Sequence, residues 1–357
     1  MKTDIELLDS LIRIPSESSD IPQVNRAEEA MGAYLKAHGL FCEFEEFEGR
    51  RILFASTTPG KVQDYILNAH LDVVPAEPAL FEPRIDGDRM YGRGTDDCKG
   101  CCVAIAQALC ALAGTKASVG AIFTADEEIG GRTTLHMVQQ GYAARKLVIV
   151  LDGPSRAIVS AEKGMLNFIL RATGKTVHSS RPWEGVNAID KLVDGYARLR
   201  AAWPKNAPGP DGDKWFDTMS ADIISGGTAH NKVPDEATLL VNIRFVKPGD
   251  EKRIESFIRE TTGLEVTREE FTIPVFCDEN DPALQALQAA MRKAWPDHEI
   301  PFTRMMGATD ARHFALNPTP IAITGCAGGG CHEIGEWINL PNIGETASML
   351  VDFLAHA

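Results

Sequence analysis

The spacing of hydrophobic and polar residues changes twice along this chain of 357 residues. Over residues 3–163, apolar positions recur alternately with helical and with strand spacing. One helix should end before Pro15 and a second at Gly39. Strands FCEFEEF, RILFAST and DYILNAH follow, then a cysteine-rich helix and strands AIFTAD and LVIVLD. This alternation predicts a largely α/β domain.

The pattern differs in the middle of the chain. After Gly164 it predicts a strand, a helix, two strands, a helix and a strand: NFILRATG, AIDKLVDGYARL, ADIISGG, TLLVNIRF, RIESFIRETT and LEVTREEF. That order is typical of a compact α+β unit of the split βαβ kind. Long helices resume after Pro282 with ALQALQAAMRKAW. We therefore predict a discontinuous domain of residues 1–163 and 277–357, with an α+β domain of residues 164–276 inserted into it.

Acidic residues and histidines follow the apolar strands of the discontinuous domain. The motif ILNAHLDVV places His70 at the end of a strand, with Asp72 two positions later on the same side. Asp72 can accept a hydrogen bond from one imidazole N–H and leave the other nitrogen free for a metal. Four more motifs follow in order: YGRGTDDCKG with Asp96 and Asp97, FTADEEIGG with Glu127 and Glu128, VIVLDGPS with Asp152, and GGGCHEIGEWINL with His332 and Glu336.

These residues predict a metal centre. Strand ends at one edge of an open α/β sheet are where such folds place their sites. Two histidines and several carboxylates suit a hydrolytic zinc or cobalt site better than a structural one. Five such ligands suggest two metals bridged by a carboxylate. In the adjacent pair Glu127 and Glu128, one carboxylate can bind metal while the other stays free as a general base.

The five ordered motifs resemble those of the M20 metallopeptidase family, which includes acetylornithine deacetylase, succinyl-diaminopimelate desuccinylase, aminoacylase and several dipeptidases. The resemblance extends from IRIPSES near the start to HEIGEWINL near the end. It implies a zinc-exopeptidase-like catalytic domain with a mixed sheet flanked by helices, and an inserted α+β domain that serves as lid and dimerisation domain. It also implies two Zn²⁺ ions, with Co²⁺ able to substitute.

The resemblance gives each residue of the predicted centre a role. His70 and Asp152 would bind one zinc, Glu128 and His332 the other, and Asp97 both, while Asp72 orients His70 and Glu127 is the general base. Asp97 is chosen over Asp96 because the family's bridging aspartate stands two residues before the lysine of a Lys-Gly pair. Many relatives have Glu directly before Pro where this chain has Gly153, so Asp152 is assigned by a shift of one residue.

Other family motifs add candidate substrate-binding residues. By this resemblance, His178 in VHSSRPWEGVNAI reaches the active site of a partner subunit and stabilises the oxyanion. Asn231 and Arg244 would hold a carboxylate or peptide carbonyl of the substrate, which suits the bidentate guanidinium. MGATDARHF, with Gly307, resembles the family's Gly-Gly-Thr-Ser-Asp-x-Arg loop. Ala308 replaces a threonine that succinyl-specific relatives use, which counts against a desuccinylase.

Expectations about partners and location follow from the resemblance and from the charge. The resemblance implies a homodimer formed through the lid, in which strands such as NFILRATG could pair edge to edge. The chain has 36 Lys and Arg against 50 Asp and Glu, and a net charge of −14 argues against nucleic acid or an anionic membrane as partner. No apolar run reaches the roughly 18 residues of a spanning helix. The start, MKTDIELLDS, is unlike a signal peptide, so we expect a cytoplasmic protein.

Other chemistries fit the chain less well. Cys98 and Cys101 form a Cys-x-x-Cys pair, but the helical spacing of DDCKGCCVAIAQALC favours small buried residues on a helix. HEIGE has Glu336 where a His-Glu-x-x-His motif would have its second histidine. We therefore expect a dizinc hydrolase that cleaves the amide bond of a small N-acyl amino acid, similar to acetylornithine deacetylase. The alternatives are a dipeptidase or other exopeptidase of the same family, and a metal-binding protein without hydrolytic activity.

Overall fold

The computed structural model describes residues 1–210 and 212–356. The chain forms two compact units. Unit 1 comprises Met1–Ala161, Phe276–Arg304 and Thr309–Ala357, and unit 2 comprises Glu162–Val275 and Met305–Ala308. The domain boundaries expected from the sequence, at residues 163/164 and 276/277, stay a prediction. Among the described residues, none of the helices combines the length and the apolar character needed to cross a bilayer.

The elements are numbered along the chain. The helices are α1 (Ile5–Ile12), α2 (Ile21–Ala37), α3 (Gly100–Leu112), α4 (Arg132–Gln139), α5 (Ala188–Ala202), α6 (Glu251–Thr262), α7 (Pro282–Ala294), α8 (Ala311–Phe314) and α9 (Leu340–His356). The strands are β1 (Phe41–Phe47), β2 (Arg50–Ser56), β3 (Val62–His70), β4 (Arg84–Asp86), β5 (Arg89–Tyr91), β6 (Val119–Thr124), β7 (Ala143–Ser155), β8 (Ile158–Glu162), β9 (Gly164–Thr173), β10 (Thr218–Gly226), β11 (Glu236–Phe245), β12 (Glu265–Thr272), β13 (Val275–Phe276), β14 (Phe302–Met305), β15 (Ile321–Gly325), β16 (Gly328–Gly329) and β17 (Trp337–Asn339).

A mixed sheet of nine strands forms the centre of unit 1. Its main path runs β1-β2-β6-β3-β7-β15-β8-β13, and β14 pairs with β8. The central strands β6, β3, β7 and β15 are parallel, whereas β1, β2 and β8 join antiparallel. Every residue of β6 is buried, as expected for a parallel strand covered on both faces. The α/β class with a mixed sheet flanked by helices is confirmed.

The helix α3 packs against α9 and supplies much of the core of unit 1. Its residues Cys101 and Cys102, together with Cys98 just before it, are at most 3% exposed. All eight cysteines of the chain are free thiols. The interpretation as small buried residues on a helix is therefore confirmed for Cys101 and Cys102, whereas Cys98 is buried but precedes the helix.

The parallel register brings the predicted motifs to one edge of the sheet. His70, the last residue of β3, pairs with Thr124, the last residue of β6. Asn68 of β3 pairs with Val150 of β7, two residues before His70 and Asp152 respectively. The carboxyl ends of these three strands therefore lie side by side, where open α/β sheets form their sites.

A small sheet joins two of the loops that carry the motifs. Its strands lie in the order β16-β17-β5-β4, and Trp337 of β17 pairs with Tyr91 of β5. The guanidinium of Arg89 also stacks on Trp337, 3.8 Å from the ring centroid. The loop that follows β5 and the loop that precedes β17 are therefore held next to each other.

Unit 2 has the predicted order of strand, helix, strand, strand, helix and strand. Its four strands form a sheet in the order β10-β11-β9-β12, and its apolar core includes residues of both α5 and α6. One expectation is wrong. NFILRATG forms most of β9, which bonds to β11 on one side and to β12 on the other, so it has no edge free for a second copy. The edge strands of this sheet are β10 and β12.

Candidate metal centre

His70 ends β3 and is only 1% exposed. Its Nδ1 lies 2.9 Å from the main-chain carbonyl oxygen of Asp72 and 3.5 Å from Oδ1 of the same residue. An Nδ1–H donated to this carbonyl leaves Nε2 as the free nitrogen, and Nε2 lies 2.8 Å from Oδ1 of Asp97. The sequence predicted that the carboxylate of Asp72 would hold the imidazole. The nearer partner is instead the main-chain carbonyl of Asp72.

The carboxylate of Asp72 holds the turn that follows β6. It is completely buried. Oδ1 accepts a hydrogen bond from the N–H of Glu127 at 3.1 Å, and Oδ2 accepts from the N–H of Glu128 at 3.3 Å and from the hydroxyl of Ser18 at 2.6 Å. These two N–H groups begin a short 3₁₀ turn, so they have no partner within the turn itself. Asp72 thus fixes both glutamates relative to His70.

Asp97 lies between the two histidines of the predicted site. Its Oδ1 is 2.8 Å from Nε2 of His70, and its Oδ2 is 3.2 Å from Nε2 of His332. The carboxylate of the adjacent Asp96 packs against Gly328 instead. A Cβ atom added to this glycine would lie 2.0 Å from Oδ1 of Asp96. Of the two adjacent aspartates, Asp97 is therefore the one that faces both imidazoles.

Asp152 and Glu128 complete the group. The ligand atoms of His70, Asp97 and Asp152 lie within 4.8 Å of one another. Oε2 of Glu128 lies 3.1 Å from Nε2 of His332. The structure thus brings together the five residues that were predicted to bind metal, although they come from five separate motifs.

Two thiols lie beside these side chains. The Sγ of Cys98 is buried and accepts a hydrogen bond from the N–H of His70 at 3.2 Å. The Sγ of Cys331, in an exposed residue, lies 2.7 Å from Oδ2 of Asp97. The ligand atoms of Asp97, Cys331 and His332 form a second group within 4.8 Å. The sequence predicted that Cys331, next to His332, would lie close to the metals, and it predicted catalytic chemistry for neither thiol.

Glu336 is a structural residue of the site to which the sequence analysis assigned no function. Its carboxylate is 1% exposed, and Oε1 accepts hydrogen bonds from the N–H groups of Asp96 at 2.9 Å and Asp97 at 3.1 Å. Oε2 accepts from the N–H of Gly94 at 2.9 Å and from the guanidinium of Arg93 at 2.6 Å. This one carboxylate therefore fixes the loop that carries Asp97. In the sequence, the position of Glu336 four residues after His332 was the feature that could have indicated this role.

Arg312 and Asp310 were also missed, although MGATDARHF had been noted as a family loop. Nη1 of Arg312 lies 3.3 Å from Oε1 of Glu127, and both side chains are largely buried. Asp310 is 2% exposed, and its Oδ2 accepts hydrogen bonds from the hydroxyls of Thr124 at 2.7 Å and Thr134 at 2.6 Å. These contacts anchor the loop next to the turn that carries Glu127.

Several buried carboxyl groups lie close together in the site. Burial raises the pKa of Glu127 to about 8, and the charge of Asp310 adds to this effect. Burial also raises the pKa of Glu128 to about 7 and raises the pKa of Asp152, for which the charge of Asp97 is a second cause. Desolvation and repulsion between like charges both disfavour the ionised forms. A divalent cation would reverse that balance.

Asp97 behaves in the opposite way. Burial acts to raise its pKa, but hydrogen bonds from His332 and His70 outweigh burial, so that the pKa of this carboxyl is lowered. The hydrogen bond to Asp97 in turn raises the pKa of His332 to about 9. The shared carboxylate is therefore the most strongly anionic group at the centre of the cluster.

The donor set fits divalent metal ions. Imidazole nitrogens and carboxylate oxygens are ligands of zinc in hydrolytic sites. Oε1 of Glu128 is buried and lacks a hydrogen-bond partner among the described residues, which leaves an acceptor available for an ion. The two groups of ligand atoms, one with His70 and one with His332, share Asp97. This division into two groups fits a pair of ions.

The remaining predicted site residues lie in unit 2. His178 is exposed, and the N–H of the next residue, Ser179, donates to the main-chain carbonyl of Asn231 at 3.0 Å, so the segments of His178 and Asn231 are adjacent. Arg244 is half-buried in β11. Gly307 is exposed in the short segment of unit 2 at 305–308. The roles of these four residues stay predictions.

Comparisons with known proteins show which family the chain resembles. The sequence profile described as peptidase family M20/M25/M40 matches residues 66–356. The chain is 26% identical over 354 residues to the Staphylococcus aureus (strain MRSA252) protein named "Probable succinyl-diaminopimelate desuccinylase", and the match covers 88% of this chain and 86% of that protein.

Solved structures show the same fold. The M20 family metallo-carboxypeptidase Sso-CP2 from Sulfolobus solfataricus has a TM-score of 0.80 at 17% identity, with 99% of each chain covered. The Bacillus subtilis YXEP protein, described as a dinuclear metal binding peptidase from the M20 family, has a TM-score of 0.70 at 15% identity, with 99% of this chain and 98% of that chain covered.

The family profile covers most of the chain and includes every predicted metal ligand. A hydrolase is thereby favoured over the alternative of a metal-binding protein without activity. The chain belongs to peptidase family M20/M25/M40 and is a hydrolase that acts on peptide or amide bonds.

Proposed function

We propose that the protein is a dizinc hydrolase that cleaves the amide bond of a small N-acyl amino acid, in the manner of acetylornithine deacetylase. The observation that carries this proposal is the division between two adjacent glutamates. Oε2 of Glu128 lies 3.1 Å from His332, whereas Oε1 of Glu127 lies 3.3 Å from Arg312. One carboxylate joins the ligand cluster and the other remains available as a general base, as a metal-dependent hydrolase requires.

In this proposal, His70 and Asp152 would hold one zinc ion, Glu128 and His332 would hold the other, and Asp97 would contribute to both sites. The sharing of Asp97 between two groups of ligand atoms supports the assignment. Bound zinc polarises a carbonyl group and lowers the pKa of water, and Co²⁺ should replace it because it accepts the same nitrogen and oxygen ligands.

Glu127 takes the proton from the attacking water and later delivers it to the nitrogen of the leaving amine. Burial and the charge of Asp310 raise the pKa of this carboxyl to about 8, close to neutral pH, where a general base is most effective. The guanidinium of Arg312 and the hydrogen bond from the N–H of Glu127 to Asp72 restrict its position. The base is therefore oriented before substrate binds.

The substrate would be bound by residues of unit 2. Arg244, Asn231 and Gly307 would hold its carboxylate or acyl group, and His178 from a second copy of the chain would stabilise the tetrahedral oxyanion. The family resemblance supports these roles. Likeness to a relative named as a desuccinylase supports an N-acyl substrate. Ala308 lacks a hydroxyl, so an acyl group other than succinyl is favoured.

A dipeptidase or other exopeptidase is the second candidate. Dipeptides and N-acyl amino acids both present an amide bond next to a carboxylate. Likeness to the Emericella nidulans protein named "Probable carboxypeptidase AN5749", which is 29% identical over 274 residues, supports this alternative.

We also propose that two copies of the chain associate through β10. This strand is an edge of the sheet in unit 2, and its residues Ile223 and Ile224 are 65% and 64% exposed. Val193 of the neighbouring helix α5 is 50% exposed and lines the same groove. An exposed apolar edge strand is a natural site for pairing with the same strand of a second copy.

The test is a panel of N-acetyl amino acids, N-succinyl amino acids and dipeptides, assayed with protein loaded with zinc or cobalt. We expect the highest kcat/KM for an N-acetyl amino acid. Glu127→Gln should lower turnover by roughly 10²- to 10⁴-fold and still bind metal, because a general base contributes about that much. The exposed Glu6→Gln is the matched control. A preference for dipeptides would select the second candidate, and full activity after metal removal would contradict both.

A further inference from the structure

Cys331 and His332 are neighbours in sequence, yet both side chains reach the same oxygen. Sγ of Cys331 lies 2.7 Å from Oδ2 of Asp97, and Nε2 of His332 lies 3.2 Å from it. In an extended strand, consecutive side chains point to opposite faces. The backbone here is not extended, because Gly330 has φ +75° and His332 has φ +63°. This left-handed turn directs a thiol and an imidazole to one carboxylate.

A second observation concerns Glu128, which lies on the same side of the cluster. The side chain of Glu128 is 7% exposed, and its Oε2 lies 3.1 Å from Nε2 of His332. The other oxygen, Oε1, is buried without a hydrogen-bond partner among the described residues. A buried carboxylate oxygen without a partner is costly unless it binds something that is positively charged or donates a hydrogen bond.

We propose that Cys331 is an additional ligand for the metal ion held by His332 and Glu128, and that it makes this position selective for thiophilic cations. The inference rests on the proposed dizinc function. The thiol binds as the thiolate, and its proton passes to solvent. A thiolate favours Zn²⁺, Cd²⁺ and Co²⁺ over Mn²⁺ and Mg²⁺, which prefer oxygen ligands.

The other nearby thiol is less suited to this task. Sγ of Cys98 accepts a hydrogen bond from the N–H of His70 at 3.2 Å and lies 3.5 Å from the carbonyl oxygen of the same residue. It is 1% exposed and held by the main chain. Cys331 is exposed and has Asp97 as its hydrogen-bond partner, so it can move onto an ion without breaking main-chain contacts.

This geometry suggests two substitutions of Cys331 as tests. Cys331→Ser keeps the size of the side chain but replaces sulfur with a hydroxyl, and Cys331→Ala removes the donor. Both should fold, because the residue is exposed. Each substitution should weaken Zn²⁺ and Cd²⁺ binding at least roughly tenfold, because even the loss of an outer-sphere partner of a metal ligand costs about that much. Mn²⁺ binding should change less. Cys42→Ser, at a half-buried thiol on β1, is the matched control.

Cobalt provides a readout that does not depend on activity. The full-length chain would be freed of metal by chelation and titrated with Co²⁺, with bound cobalt measured by equilibrium dialysis and the spectrum recorded at each step. Wild type and Cys42→Ser should show a sulfur-to-cobalt charge-transfer band in the near ultraviolet. Cys331→Ser and Cys331→Ala should retain the visible cobalt bands and lose the charge-transfer band.

Three results would overturn the inference. If two cobalt ions bind to wild type without a charge-transfer band, the dizinc proposal stands and the thiol is not a ligand. If the band persists in Cys331→Ser, the sulfur belongs to another residue such as Cys98. A chain that binds no cobalt and hydrolyses its substrate without metal would overturn this inference and the proposed function together.

Discussion

The carboxylate of Glu336 accepts a hydrogen bond from the main-chain N–H of Asp97 at 3.1 Å, across 239 positions of sequence. The same carboxylate binds the guanidinium of Arg93 at 2.6 Å, and both of these side chains are buried. The motif GGGCHEIGEWINL therefore supplies His332 and, through Glu336, also holds the loop of the motif YGRGTDDCKG in position. Glu336 thus fixes the main chain of Asp97, whose carboxylate faces both histidines.

We predict that Glu336→Gln lowers both stability and metal affinity. The amide group of glutamine would place N–H donors against the N–H groups of Asp96 and Asp97 or against Arg93, and would leave that guanidinium without a buried counter-ion. Breaking a buried ion pair from one side costs about 3–5 kcal/mol. Chemical unfolding and zinc titration would measure the two effects. The exposed Glu333→Gln in the same loop is the control, and equal behaviour of the two variants would contradict the anchoring role.

The two adjacent aspartates give a matched pair for the metal centre. Asp97→Asn should bind fewer than two zinc ions per chain, because a neutral amide is a poor substitute for a carboxylate shared by two ions. Asp96→Asn should keep the zinc content of wild type, because Asp96 packs against Gly328 instead. Elemental analysis after zinc loading checks both. A loss of zinc in the Asp96 variant that equals the loss in the Asp97 variant would mean that the bridging position is assigned wrongly.

A carboxyl group outside the metal cluster should make stability depend on pH. Glu28 of α2 is completely buried, and burial raises its pKa well above the ordinary 4.5, although a hydrogen bond from the N–H of Leu53 at 3.2 Å opposes the shift. The folded chain therefore binds a proton that the unfolded chain has released. The contribution of protonated Glu28 to the free energy of unfolding is complete below pH 4.5. It falls by about 1.4 kcal/mol per pH unit as the pH rises toward the pKa that Glu28 has in the folded chain.

We predict that Glu28→Gln, which keeps an acceptor for Leu53 and cannot ionise, loses less stability than wild type between pH 5 and neutral pH. The free energy of unfolding would be measured by urea titration at several pH values and at the same zinc saturation. Glu29→Gln, at an exposed neighbour, should have the pH slope of wild type. Parallel stability curves for wild type and Glu28→Gln would show that Glu28 ionises normally in the folded chain.

The proposed dimer predicts that catalysis is shared between two chains. A subunit with His178→Ala and a subunit with Glu127→Ala should each be nearly inactive alone. After subunit exchange, one of the two sites in a mixed dimer has both intact groups, so part of the activity should return. No recovery after verified exchange would mean that His178 acts within its own chain or has no catalytic role.

The apolar edge of β10 can be tested separately. Ile223→Asp should shift the protein toward monomer in analytical ultracentrifugation, because a carboxylate would have to be buried on pairing. Ile85→Asp, at a residue of β4 that is 49% exposed, should leave the association unchanged. A dimer that persists in Ile223→Asp would place the interface elsewhere.

The sequence alone determined which residues could form the site and the class of the fold. Apolar runs with strand spacing ended at His70 and at Asp152 and shortly before the pair Glu127 and Glu128, and parallel strands of an α/β sheet end at one edge. The order of elements in the inserted domain could also be predicted from local sequence, because apolar residues recur with different periods in helices and in strands. Such information needs no knowledge of which strands are neighbours.

The tertiary structure decided the contacts that depend on strand order and loop packing. It showed that Glu336 anchors Asp97, that Arg312 pairs with Glu127, that Asp72 holds the turn after β6 with its carboxylate, and that β9 lies inside its sheet. These contacts join residues far apart in sequence, and their geometry is set when loops pack against one another. Local periodicity does not predict that packing, because the identity of an acidic residue does not reveal whether its carboxylate is buried or exposed.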